Sequence, residues 1–152
     1  MRIEDASASD LPAIRTLLQA LNLPFEDLGR PLQRFLVARD GAALAGCVAL
    51  EGEGPAALLR SLAVPASRQG QGLGRALHRE ALALARRTGL AELYLLTTTA
   101  RGFFAREGWG PVDRAAAPAA LQATPEFAAL CPSTAVCMTR LVAGEEKAGA
   151  TL

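Results

Sequence analysis

The stretch Ala57-Leu58-Leu59-Arg60-Ser61-Leu62-Ala63-Val64-Pro65-Ala66-Ser67-Arg68-Gln69-Gly70-Gln71-Gly72-Leu73-Gly74-Arg75-Ala76-Leu77 decides how this chain folds. Its first part is a mostly apolar run stopped by Pro65, which reads as a buried strand. Leu73, Leu77, Ala81, Leu84 and Ala85 then recur at helical spacing, with Arg75, Arg79 and Arg86 on another face. Between strand and helix lies Gln69-x-x-Gly72-x-Gly74, with Gly70 inside it. Such a loop turns several backbone N–H groups toward one point, and the helix behind it adds the positive end of its dipole. The combination suits a pyrophosphate, and glycine lets the backbone come close to it.

Two common phosphate loops are excluded. G-x-x-x-x-G-K-[ST] is absent because the sole lysine is Lys147. G-x-G-x-x-G fails because Gly70, Gly72 and Gly74 alternate and position 75 is Arg. The remaining pattern, preceded by Leu62-Ala63-Val64-Pro65 and Arg68, resembles the acetyl-CoA signature [Q/R]-x-x-G-x-[G/A] of the GCN5-related N-acetyltransferases.

Working outward, Met1–Ala6 reads as a first strand, and Ser9 or Asp10 caps a helix with Leu11, Ile14, Leu17, Leu18 and Leu21 on its apolar face. Pro12 is tolerated in the first turn of that helix. Residues 22–30 read as loop or a short broken helix. Phe35–Arg39, the turn Asp40-Gly41 and Ala42–Leu50 form the clearest hairpin. After the central helix, stopped at Thr88-Gly89, come a fifth strand over Glu92–Thr97 and a short helix over Ala100–Glu107. Trp109–Arg114 and Ala135–Leu141 read as the last two strands, with short helical turns over Pro118–Leu130 between them. This order predicts an α/β chain with a mixed, mostly antiparallel sheet of about six or seven strands and helices on both faces. A single domain over residues 1–142 and a disordered tail over 143–152 are expected.

The chain has 152 residues, 51% hydrophobic and 20% charged, with a formal net charge of +1. That balance favours neither nucleic acid nor an anionic membrane as partner. Fifteen Arg and one Lys supply its positive charge. Cys47, Cys131 and Cys137 fit neither a zinc site nor a disulfide framework, and no metal is expected. Without an apolar leader or a run near the ~20 residues that span a bilayer, a soluble cytoplasmic protein is expected.

The element order is that of the N-acetyltransferases, and Phe103-Phe104-Ala105-Arg106-Glu107-Gly108-Trp109 resembles their second marker, F-Y-x-x-x-G-F. A narrower resemblance is to the small N-acetyltransferases associated with arsenic-resistance operons, near N-acetylglutamate-synthase-type domains. It is carried by Leu58–Val64, Leu93–Ala100, Gly102–Phe104, Thr124–Phe127 and Leu130–Ala135.

The resemblance implies acetyl transfer from acetyl-CoA, as co-substrate, to the amine of a small, amino-acid-like acceptor attacked directly in a ternary complex. It implies that the organising strand and the fifth strand splay apart to take the pantetheine arm. Leu62, Ala63 and Val64 would then pair with that arm as an added strand. Gln69, Gly70, Gln71, Gly72, Leu73, Gly74 and Arg75 would hold the pyrophosphate, with Phe103 and Phe104 also at the cofactor. The Leu62 N–H would polarise the thioester carbonyl, worth roughly two to three powers of ten in rate. The acceptor is expected to border residues 22–30, and a homodimer is one assembly the family admits.

Side-chain chemistry departs from the family. The position where many members place an acidic tyrosine is Phe104, leaving Thr97, Thr98, Ser133 or Cys131, through water, as proton donors. Tyr94 reads as packed or outward, Glu51 and Glu53 as solvated turn carboxylates before general bases, and His78 as a surface residue. Alternation places Arg60 on the face of Leu62 and Val64. Its partner is either a structural carboxylate such as Glu51 or Glu126, or the acceptor's own anionic group. Thr98 and Arg101 are further substrate contacts. Two other readings stay open: an acceptor on a peptide or protein, and a CoA-binding module without turnover.

Overall fold

The structure, a computed structural model, describes residues 1–143. In chain order its elements are β1 (Arg2–Asp5), α1 (Leu11–Ala20), β2 (Gln33–Asp40), β3 (Ala43–Glu51), β4 (Ala56–Ala63), α2 (Leu73–Arg87) and β5 (Glu92–Thr97). They continue with α3 (Arg101–Arg106), β6 (Gly110–Pro111), α4 (Ala119–Gln122), a π-helical turn (Glu126–Leu130) and β7 (Val136–Leu141). The seven strands follow the order β1-β2-β3-β4-β5-β7-β6. β4 and β5 pair in parallel, whereas β1–β2, β2–β3, β5–β7 and β6–β7 run antiparallel. The α/β class and the mixed sheet expected from the sequence are present. From residue 144 on, the expected tail lies outside the described residues.

Two compact units can be distinguished: Met1–Glu51 with Leu59–Leu84, and Gly52–Leu58 with the chain from Ala85 on. In the first, α1 begins after a turn of 3-10 helix in which Asp10 accepts from the Ser7 N–H at 2.8 Å. Arg39 of β2 holds the same carboxylate through two nitrogens, at 3.0 and 2.8 Å, and these bonds lower the Asp10 pKa to about 2. Ile14 and Leu18 are fully buried on α1 and pack with Phe35, Val37, Cys47 and Ala63. Each fully buried aliphatic side chain contributes about 1.5–3 kcal/mol.

Gly46 of β3 is a close-approach position. A Cβ there would lie 2.9 Å from Leu77 Cδ1 and 3.0 Å from the Ala63 carbonyl oxygen. Leu77 can rotate, but the carbonyl belongs to β4 and cannot easily yield. Gly46→Val should therefore displace the first turns of α2 and cost about 1–3 kcal/mol by overpacking. Denaturant unfolding checks this: an unchanged midpoint would show that α2 has room to spare.

The second unit is built on β4–β5 pairing over Ala56–Leu58 and Glu92–Tyr94, and on β5–β7 pairing from Glu92↔Leu141 to Thr97↔Val136. Its core gathers Leu58, Tyr94, Leu121, Phe127 and Cys137. Tyr94 is packed rather than outward, and its hydroxyl lies 3.2 Å from Glu92 Oε1.

Three expectations about the elements and the faces of their residues need correction here. The strand expected over Trp109–Arg114 shrinks to Gly110–Pro111, because Pro111 has no N–H for the ladder and Arg114 opens a 3-10 turn. His78 is buried, since it stands one turn before buried Leu82 and beside buried Leu77 on a face wider than the leucine spacing suggested. Alternation also does not carry through β4. Ser61 adopts φ 60, a left-handed conformation that breaks the pleat on which the placement of Arg60 beside Leu62 depended.

Candidate functional site

The glycine loop belongs to the first unit. Pro65 precedes a 3-10 turn over Ala66–Arg68, and the Gln69 side-chain amide reaches back to donate to the Val64 carbonyl oxygen at 2.9 Å. This bond fastens the loop to the end of β4. Gly70 and Gly72 both take φ +83, where a side chain is strained, and a Cβ built on either meets nothing within 4 Å. The glycines thus keep open the space above a loop that runs into α2, a helix of fifteen residues. The first N–H groups of a helix lack intrahelical partners and carry partial positive charge. Loop and helix together can bind a dianionic diphosphate.

Immediately before the loop, β4 carries Arg60, Ser61, Leu62 and Ala63. The Arg60 side chain is wholly buried, and its partners are carboxylates of this chain. Its two terminal nitrogens grip Asp27 at 2.6 and 2.8 Å, and Nη1 also donates to Glu51 Oε1 at 2.9 Å. Arg60 Nε donates to Ser61 Oγ at 3.1 Å. Glu51, expected as a solvated turn carboxylate, is 3% exposed at the end of β3 and lies 3.6 Å from Arg30. Gln33 ties the group together, donating to the Asp27 carbonyl oxygen at 3.0 Å and to Glu51 at 3.3 Å. Burial alone pushes the Asp27 carboxyl upward, but the hydrogen bonds and charge of Arg60 outweigh it, and the group titrates below its ordinary range.

Of the two kinds of partner open to Arg60, the structural carboxylate is the one seen, supplied by Glu51, one of the two candidates, together with Asp27. Asp27 lies in an irregular loop 33 positions from Arg60, and no local pattern signals that pairing. Cys47 is likewise a new participant. Its thiol, pushed up to about 12 by burial, donates to the Ser61 carbonyl oxygen at 3.3 Å.

The remaining expected residues belong to the second unit. Thr97 Oγ1 accepts the Ala100 N–H at 2.9 Å and so steadies the start of α3, while Thr98 and Arg101 are exposed. Phe104 is buried, edge-on to Phe103 at 5.1 Å and to Trp109 at 5.7 Å. Glu53 is exposed, and among the described residues no cluster of His, Cys, Asp and Glu could hold a metal ion. No helix among them is long and apolar enough to cross a membrane.

Against known proteins, a family model described as an acetyltransferase (GNAT) domain matches residues 31–110, more than half of the chain. Among solved structures, N-acetylglutamate synthase from Neisseria gonorrhoeae complexed with coenzyme A and L-arginine is similar at TM-score 0.74 and 22% identity, covering 92% of this chain and 32% of that one. The same synthase complexed with coenzyme A and N-acetyl-glutamate gives 0.76 and 22%, covering 93% and 35%. The chain thus spans about a third of the length of those synthase chains. Rv2747 from Mycobacterium tuberculosis, solved with CoA, gives 0.75 and 22% over 93% of this chain and 99% of that one. A search of curated protein sequences finds no match.

Proposed function

Because this chain belongs to the GNAT acetyltransferase family, we propose that it moves the acetyl group of acetyl-CoA to the amine of a small, amino-acid-like acceptor. The observation that carries this reading is the loop of left-handed Gly70 and Gly72 opening into α2, with vacant space where their side chains would stand. In this reading residues 1–142 act as one acetyltransferase domain. The N–H groups of Gln69–Arg75 hold the diphosphate, and the backbone of Leu62–Val64 pairs with the pantetheine arm.

Acetyl-CoA supplies a thioester carbon open to attack by an unprotonated amine, with the new C–N bond forming as the C–S bond breaks and the amine proton passing to solvent. The Leu62 N–H donates to the carbonyl oxygen as negative charge builds on it. Holding both reactants in line provides much of the acceleration. Phe104 has no proton to give. Thr97 is the donor we assign to the departing thiolate, through water, since its oxygen accepts from Ala100 and leaves its own O–H available.

The small acceptor is supported by the sequence resemblance and by the N-acetyl-glutamate with which one structural neighbour is complexed. An anionic group on it could reach the Arg60 fork only by displacing Asp27, so Thr98 and Arg101, which are exposed, are the further contacts proposed for it.

A thiol-release assay across amino acids and their phosphorus and arsenic analogues tests this. Saturable turnover with at least one of them is expected. Silence across the panel from protein that still binds acetyl-CoA would reject the acceptor class, and a peptide library would then be the next set of amines.

A further inference from the structure

A residue with a side chain pays roughly 1–3 kcal/mol to hold a left-handed conformation, and keeps it only where its surroundings over-determine it. Ser61 does so in the middle of a strand, at φ 60, immediately before Leu62. Two bonds fasten it from different elements. Cys47 on β3 donates to its carbonyl oxygen at 3.3 Å, and Arg60 Nε donates to its hydroxyl at 3.1 Å. Arg60 is itself immobilised by the Asp27 grip at 2.6 and 2.8 Å and by Glu51 at 2.9 Å. An unbroken path therefore runs from the loop that carries Asp27 to the peptide group of Leu62.

We infer that Asp27, Arg60 and Cys47 are positioning residues that clamp Ser61 in its left-handed conformation and thereby aim the Leu62 N–H. Arg60 has the geometry for this work. Its flat guanidinium spends the two terminal nitrogens on carboxylates and leaves Nε to face Ser61, a division that a lysine ammonium cannot reproduce. The burial of all three ionised groups also fits the role, because a mobile carboxylate would let the guanidinium swing and release the serine. The catalytic consequence rests on the acetyltransferase reading; the clamp itself does not.

The test follows the Leu62 amide of the full-length chain, free of ligand, by nitrogen–proton correlation spectra and hydrogen exchange. Arg60→Lys keeps a cation facing the carboxylates but loses the two-nitrogen grip on Asp27 together with the Nε donor to Ser61, while Asp27→Asn loosens the far end. Each should move the Leu62 amide signal and speed its exchange by about tenfold. In a Ser61→Gly background the same substitutions should barely move it, because glycine holds φ near +60 unaided. An unmoved Leu62 amide in Arg60→Lys, or equal responses in the two backgrounds, would overturn the clamp. If Asp27→Asn does not fold, Cys47→Ala, which removes the thiol donor without overpacking the core, takes its place in the comparison.

Kinetics supply a second readout on whichever amino acid supports turnover. Arg60→Lys should lower kcat by about tenfold to a hundredfold while KM values stay put. A raised acceptor KM with kcat preserved would make Arg60 a direct substrate contact and defeat the inference. Since the spectra need no substrate, failure of acetyl transfer and failure of the clamp remain separate results.

Discussion

Replacing Gly72 with valine should weaken CoA binding by about a hundredfold and leave the protein folded. Gly72 takes φ +83, so a β-branched residue either holds a strained conformation or relaxes and turns its neighbours' N–H groups away. Each charge-assisted bond lost to a phosphate oxygen is worth roughly 1.5–3 kcal/mol, which reaches that factor without any change in the core. The fold itself should tolerate the change, because the added Cβ meets nothing within 4 Å. A control separates strain from binding. Gly41, in the β2–β3 turn at φ +62, also has open space around it, so Gly41→Val should cost similar stability and leave CoA affinity intact. Equal loss of affinity in the two variants would place the effect in the fold and not in the loop.

Removing the Arg60 guanidinium should be the most damaging substitution for stability. Arg60→Ala leaves Asp27 and Glu51 buried, at 7% and 3% side-chain exposure, without the cation that faces both. Breaking a buried pair from one side costs about 3–5 kcal/mol, because a charge stays behind without compensation. For a chain of this size that corresponds to a fall in Tm of about 6–20 °C.

The pH dependence has a definite sign. The Asp27 carboxyl titrates below its unfolded value in the folded chain, so its pairing contributes stability above about pH 4 and loses it as pH falls through the lower folded value. In the variant, acid instead relieves the buried carboxylates that have lost the Arg60 guanidinium by protonating them. The difference in Tm between parent and Arg60→Ala should therefore be widest near neutrality and shrink toward pH 3. A difference that stayed constant across that range would mean that packing of the arginine stem, not its charge, is what the network needs.

Much of the fold was legible because its signals are local. Asp40-Gly41 between two apolar runs marks the hairpin, and the leucine spacing after Gly72 marks α2, each within a few residues of the element it specifies. The glycine loop was legible for the same reason. What stayed hidden depends on partners distant in sequence. Asp27 meets Arg60 across 33 positions, and nothing in the irregular stretch around Asp27 announces it. Glu51 looked like a turn residue because the sequence shows the turn after it and not the arginine beside it. Ser61 could not be read as left-handed at all, since serine in an apolar run fits a regular strand, and only Cys47 and Arg60 together make the exception tolerable. His78 failed for a simpler reason: a single polar residue does not say how wide the buried face of its helix is.

The account turns on the loop at Gly70–Gly74 accepting a diphosphate, and calorimetric titration of the purified full-length chain with coenzyme A measures that directly. One molecule bound per chain, with affinity about a hundredfold weaker in Gly72→Val and unchanged in Gly41→Val, is the predicted result. Absence of any binding heat from folded parent protein, for coenzyme A and acetyl-CoA alike across several temperatures, would contradict it.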